Sequence, residues 1–221
     1  GSSIKPFFVA AALASGRFSV NSIIDTSPGY VQVGSSIIHD EHNLGAIPIA
    51  TVLAKSSNVG MAHIALALEP RQIWGTLNAL GFGQVTTSGF PGESAGVLQN
   101  YSHWRNVLLA TMSHGYGLSV TPLQLAQAYA TLGAYGVRRP VSLQRVDGPV
   151  PGERVLDGEV CRQLLTLLQS VITMPGATGA QAAIPGYQVA GKTGTAWKAE
   201  GGGYSQDRFV GTFGGVAPAS N

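Results

Sequence analysis

Three short groups of residues have the types and spacing to do chemistry: Ser2-Ser3-Ile4-Lys5, Ser56-Ser57-Asn58 and Lys192-Thr193-Gly194-Thr195. A serine and a lysine three apart at the start of a helix share one face, so the amine can reach the hydroxyl and serve as its base. Lysine does so only when neutral, which burial or a second positive charge brings about by lowering its pKa. The apolar run around Lys5 offers the first, and Lys192 the second. On a strand, Thr193 and Thr195 point to one face while Gly194 has no side chain, so a carboxylate and an extended peptide can lie along that edge. Each group alone has a plainer reading. These are a helix start with a solvated lysine, capping of a helix at Val59 by Ser56 and Asn58, and a strand with a glycine bulge.

The elements that must position these groups are legible. Ser2 to Ser15 predicts a helix ended by Gly16; it has no polar face and must be central and buried. Pro6 fits only a helix's first turn, so the helix begins close to Ser2, at its positive end. A turn-rich stretch holding Pro28-Gly29 and a short strand pair around Tyr30 to Ile38 follow. Helical periodicity covers Ile49 to Lys55 and Val59 to Leu68, with Ser56, Ser57 and Asn58 in the break. Further helices are predicted at Gln72 to Leu80, Trp104 to Met112, Pro122 to Leu132 capped by Thr121, and Gly158 to Val171 capped by Asp157. Tyr187 to Trp197 and Arg208 to Val216 are rich in strand formers and are joined by a turn at Glu200–Tyr204, so they form an antiparallel hairpin. Two strands alone are marginal, so the hairpin is expected to belong to a wider sheet. The fold class is α+β, with a helical region packed on an antiparallel sheet around one core spanning residues 1–221.

Composition narrows the function. Apolar residues make up 44% of the 221 residues and charged residues 11%, against roughly 25% charged in an average domain; much of the surface is neutral or normally covered. Thirteen Lys and Arg against eleven Asp and Glu give +2 without basic clusters, which argues against nucleic acid as a partner. Cys161 is the only cysteine, so an internal disulfide and a thiolate zinc site are both excluded. The longest apolar stretch, Phe7 to Ala14, is less than half the ~20 residues that span a bilayer. Any membrane anchor is expected outside this chain.

Three motif matches compete. Gly186 to Thr193 satisfies the phosphate-loop pattern G-x-x-x-x-G-K-S/T, which would make the chain an NTPase. That loop needs a helix opening at its lysine, whereas strand formers precede Lys192 and Gly194 interrupts any helix. Gly92-Glu-Ser-Ala-Gly96 matches a nucleophile elbow but lacks the preceding hydrophobic strand. His39 and His42 flank Asp40 and Glu41, yet no third ligand stands at helical spacing, so a polar loop is expected, and neither metal nor cofactor.

Across nearly its whole length the chain resembles the transpeptidase domain of class B penicillin-binding proteins, the division-specific members in particular. Besides the three groups above, the resemblance rests on Ser19-Val-Asn-Ser22, Ile38-His-Asp40, Lys55-Ser-Ser-Asn-Val-Gly60, Gly115-Tyr-Gly-Leu-Ser-Val-Thr-Pro-Leu-Gln124 and Pro185-Gly-Tyr-Gln-Val-Ala-Gly191. It implies an acyl-enzyme mechanism on peptidoglycan stem peptides ending in D-Ala-D-Ala, with Ser2 attacking and Lys5 taking its proton. The backbone N–H groups of Ser2 and Thr195 would form the oxyanion hole. Ser56, assisted by Lys192, would protonate the leaving D-alanine. Asn58 would hold Lys5 and the substrate amide, and Thr193 and Thr195, flanking Gly194, the terminal carboxylate. β-Lactams would acylate the same serine. The resemblance further implies cell-division partners, a membrane anchor outside this chain at the periplasmic face of the inner membrane, and family strands beyond both chain ends, without which residues 1–221 are not expected to act alone.

Two relatives of that chemistry differ in outcome. A class A β-lactamase needs a glutamate in Glu-x-x-Leu-Asn, but Trp74 stands in that place before Leu77-Asn78. A non-enzymatic β-lactam sensor shares the acylation groups, while the division-type segments favour the transpeptidase.

Overall fold

A computed structural model describes residues 1–200 and 203–220. The chain opens with a 3₁₀ turn, Ser2–Ile4, that runs directly into α1, Lys5–Ala14. Pro6 sits in the first turn, where its missing N–H leaves no bond unmade. Every residue from Lys5 to Leu13 is buried, which is why the sequence shows no polar face. Gly16 ends the helix at φ 71, the left-handed position that glycine adopts without a side-chain clash.

Two small antiparallel pairs follow, β1 (Ile23–Asp25) with β4 (Ala46–Pro48), and β2 (Tyr30–Val33) with β3 (Ser36–His39). Then come α2 (Ile49–Ala54), α3 (Asn58–Leu66), α4 (Pro70–Ala79), α5 (Asn106–Met112) and α6 (Pro122–Gly133). A minimal pair, β5 (Val137–Arg138) and β6 (Glu153–Arg154), precedes α7 (Gly158–Thr173) and the hairpin β7 (Ala190–Glu200) and β8 (Gly203–Val216). α1 packs against α3, α4 and α7, and the hairpin against α6 and α7. Phe7 anchors this core, its ring 5.2 Å from the rings of both Phe82 and Tyr129.

Several boundaries differ from the sequence expectation for local reasons. α4 starts at Pro70 because Glu69 and Gln72 form a reciprocal cap, the Glu69 N–H donating to Gln72 Oε1 at 3.2 Å. α5 starts at Asn106 because Trp104 closes a 3₁₀ turn, Tyr101–His103, and donates its indole N–H to Gln99 O at 3.1 Å. α7 continues to Thr173, whereas β7 begins at Ala190 and β8 already at Gly203. In the expected turn Glu200–Tyr204, Gly201 and Gly202 lie outside the described residues. Among the described residues the hairpin stands as a two-stranded sheet, and Phe209, Val210 and Phe213 on β8 are exposed.

The hairpin docks on the helices through close backbone approach. At Gly214 a side chain would overlap the ring of Tyr129. The Tyr129 hydroxyl in turn donates to Ser3 O at 3.0 Å, so α6 reaches under β8 to the turn that carries Ser2. Because Phe7 is fully buried between two rings, Phe7→Ala is expected to lower unfolding free energy by about 3–5 kcal/mol. Urea denaturation measures this, and a loss below about 1 kcal/mol would remove α1 from the centre of the core.

Candidate active site

Three segments far apart in sequence converge on an open cleft of about 840 Å³ whose walls include Ser2, Ser56, Asn58, Thr193, Gly194 and Thr195. Lys5 and Lys192 stand behind these walls, both buried. All eight residues expected from the sequence therefore meet in one place.

Lys5 is the hub. It is the first residue of α1, so its side chain lies on the helix's opening turn. Its Nζ donates to Ser56 O at 2.6 Å, Ser56 Oγ at 3.1 Å and Asn58 Oδ1 at 2.7 Å. Ser56 holds a left-handed φ of 58, a conformation costly for a non-glycine residue; its carbonyl is one of the three oxygens that meet the amine. Burial drives the Lys5 pKa well below that of an ordinary lysine; the charge of Lys192 lowers it further, and Asp40 opposes both. Both causes expected from the sequence thus operate. Among the described residues the Lys5 amine is hydrogen-bonded to Ser56 and Asn58 and not to Ser2, the hydroxyl it was expected to reach.

Lys192 donates to Thr193 O at 3.1 Å and Thr193 Oγ1 at 3.2 Å. Burial brings its pKa down to about 7. It lies within β7, opposite Gly214, and no helix opens at it, so Gly186 to Thr193 is not a phosphate loop. The Gly92–Gly96 segment is a loop tied together by Glu93, which accepts from Thr86 N at 2.7 Å and Ser88 Oγ at 2.5 Å.

Strand β7 and the Ser2–Ile4 turn touch backbone to backbone. A Cβ on Gly194 would stand 2.8 Å from Ser3 N, and one on Gly1 2.8 Å from Thr195 O. Glycine is required at Gly194 for that contact, not for flexibility. Ser2 N–H belongs to a helical first turn and has no intrahelical acceptor, and Ser2 and Thr195 both line the cleft.

Asp40 was a decoy in the sequence and is a structural anchor. Its carboxylate accepts from Ser57 Oγ and Asn58 N at 2.5 Å each and from Val59 N at 3.1 Å. A carboxylate at a helix N-terminus answers unpaired N–H groups and the positive end of the dipole. Ser57, not Ser56 or Asn58, caps α3, accepting from Gly60 N at 2.8 Å. Ser56 and Asn58 are thereby left for the cleft. Two further cleft residues carried no sequence signal: Thr178, and His114, whose pKa falls to about 4 through burial first and the charge of Lys5 second.

Comparison with known proteins agrees with this geometry. The profile of the family described as "Penicillin binding protein transpeptidase domain" matches residues 1–221. The chain is 41% identical over 220 residues to the peptidoglycan D,D-transpeptidase FtsI of Escherichia coli, covering all of this chain and 37% of that protein. It is 40% identical over 221 residues to a probable peptidoglycan D,D-transpeptidase, PbpC, of Pseudomonas aeruginosa, covering 39% of it. The chain thus spans less than half the length of these curated relatives. Among solved structures, the apo TP domain of penicillin-binding protein 3 from Burkholderia pseudomallei superposes with a TM-score of 0.94 at 39% identity, over all of this chain and 67% of that one.

The lysine shifts fix a sign for stability against pH. Both folded pKa values lie below the unfolded value of about 10.4, so between them the unfolded chain binds more protons and stability rises with pH. For Lys192 this window opens at about 7. Urea midpoints are expected to be higher at pH 8.5 than at pH 7, with a smaller difference in Lys192→Met. A midpoint that falls over this interval would show that these amines are not held neutral by burial.

Proposed function

Because the chain belongs to the penicillin-binding protein transpeptidase family, we propose that residues 1–221 form one transpeptidase domain of a peptidoglycan D,D-transpeptidase of septal wall synthesis. Ser2 is its nucleophile, and β-lactams acylate the same hydroxyl.

In this reading Ser2 Oγ attacks the carbonyl of the penultimate D-alanine, and Lys5, neutral through burial, takes the hydroxyl proton. Loss of one donor from the Lys5 amine frees the lone pair that the reaction needs. Negative charge on the carbonyl oxygen is met by the N–H groups of Ser2 and Thr195, donors held rigid by the Gly194–Ser3 contact. The C–N bond to the terminal D-alanine then breaks. Its amine receives a proton from Ser56, which the 3.1 Å contact with Lys5 resupplies. Lys192, buried behind Thr193, assists this transfer. Asn58 holds Lys5 and the substrate amide, while Thr193 and Thr195 take the terminal carboxylate, with Gly194 leaving room for the peptide backbone. The amine of a second stem peptide next attacks the acyl-enzyme, returns its proton through the same groups and releases Ser2.

The observation that carries this reading is the meeting of the Lys5 amine with Ser56 and Asn58, 51 and 53 residues away, beside Ser2. The substrate sets the location: peptidoglycan lies outside the cytoplasmic membrane, so the site works at the periplasmic face, beside division proteins. No helix among the described residues is long and apolar enough to cross a membrane, and the anchor is assigned to other parts of the full-length protein.

The full-length protein is expected to bind a fluorescent penicillin covalently, gaining the mass of one intact penicillin and releasing it slowly. Ser2→Ala is expected to abolish the label, and Lys5→Met to slow acylation by about 10²–10⁴. Labelling that survives Ser2→Ala would falsify the assignment of the nucleophile; rapid turnover would make the chain a β-lactamase, and labelling without cross-linking a sensor.

A further inference from the structure

The loop after α7 brings a hydroxyl into the cleft that the mechanism above does not use. Thr178 is exposed on the cleft wall, yet its backbone is fastened on several sides. Its N–H donates to Ala54 O at 3.1 Å, at the last residue of α2, and Gly179 N–H donates to Val171 O at 3.0 Å. Lys55 Nζ donates to Pro175 O at 3.1 Å and Gly176 O at 2.9 Å. The loop is thereby tied to the same bend that presents Ser56. A side chain on so firmly held a backbone keeps its position at little further entropic cost.

The Thr178 and Thr193 hydroxyl oxygens are hydrogen-bonded at 2.8 Å. Thr193 Oγ1 also accepts from Lys192 Nζ at 3.2 Å. A hydroxyl has one proton and two acceptor sites and rotates to suit its neighbours. A carboxylate offers no proton, so Thr193 serves it only by giving its own. Once it does, its second acceptor site needs a donor, and Thr178 is placed to be that donor. With Lys192 and Thr178 both donating to Thr193 Oγ1, the Thr193 proton has no partner other than the incoming anion.

We propose that Thr178 is a positioning residue for recognition of the donor peptide's terminal carboxylate, reversing its hydrogen bond with Thr193 when that carboxylate arrives. This rests on the assignment of Thr193 to carboxylate binding and deepens it. Thr178 acts through Thr193 and is not itself catalytic. The hydrogen-bonded chain Lys192–Thr193–Thr178 is what distinguishes it from a bystander on the cleft wall.

The test uses the full-length protein and two ligands that differ only at this group, benzylpenicillin and its methyl ester. Acylation rates are measured against ligand concentration, which separates the dissociation constant of the pre-covalent complex from the limiting acylation rate. Thr178→Val is expected to raise that dissociation constant about 5- to 20-fold for benzylpenicillin, the scale of one hydrogen bond supporting a charged partner. The limiting rate and the ester's kinetics are expected to stay unchanged, and Thr178→Ser to restore wild-type binding. Equal losses for acid and ester, a lowered limiting rate alone, or no change in Thr178→Val each overturn the proposal. A Thr178→Val protein with a depressed Tm is replaced by Thr178→Ala, judged by the same outcomes. If Ser2→Ala retains the label, the function itself fails, whatever Thr178 does, so the two failures are distinct.

Discussion

Burial of the Lys5 amine is the constraint on which the rest of the site depends. Removing an ammonium group from water costs several kcal/mol, while hydrogen bonds to a charged group return about 1.5–3 kcal/mol each. The three such bonds that Lys5 Nζ donates, to Ser56 O, Ser56 Oγ and Asn58 Oδ1, offset only part of that cost. The proton on Lys5 is therefore weakly held, and a second buried amine at Lys192 weakens it further. Asp40 works in the opposite direction, and the same carboxylate fixes the start of α3. One group thus limits how far the lysine pKa falls and also sets where Asn58 stands.

Around this amine, rigidity comes from backbone more than from side chains. The Ser2–Ile4 turn lies against β7 at Gly194 and is joined from below by Tyr129 through Ser3 O. α1 provides the fixed axis: a helix buried on all sides has no solvent face toward which to rotate. The groups expected to stabilise developing charge are consequently backbone N–H groups that need not reorganise during reaction.

How much of this was legible in the sequence follows from how local each cause is. The buried α1 could be read because its apolar residues are contiguous and Pro6 restricts where it starts. The strand position of Lys192 could be read because Gly194 and its β-forming neighbours forbid a helix. Trp104 misled because an aromatic residue before a periodic run looks helical, whereas its indole found a carbonyl at Gln99. Ser56, Ser57 and Asn58 formed an evident break, but which serine capped α3 depended on Asp40, 17 residues before Ser57. Thr178 and His114 gave no signal, since their meaning comes only from what faces them. That these eight residues would meet could be expected because three weak motifs in order, together with the longer matching segments, exclude coincidence better than any one of them.

The contact of Gly194 with Ser3 joins residues from nearly opposite ends of the chain. Contacts between residues so far apart in sequence slow folding, because the loop between them must be closed before they form. A chain whose β7–β8 hairpin is detached lacks one wall of the cleft, the one lined by Thr193, Gly194 and Thr195. Assembly of the cleft therefore waits on the docking of the β7–β8 hairpin against the Ser2–Ile4 turn.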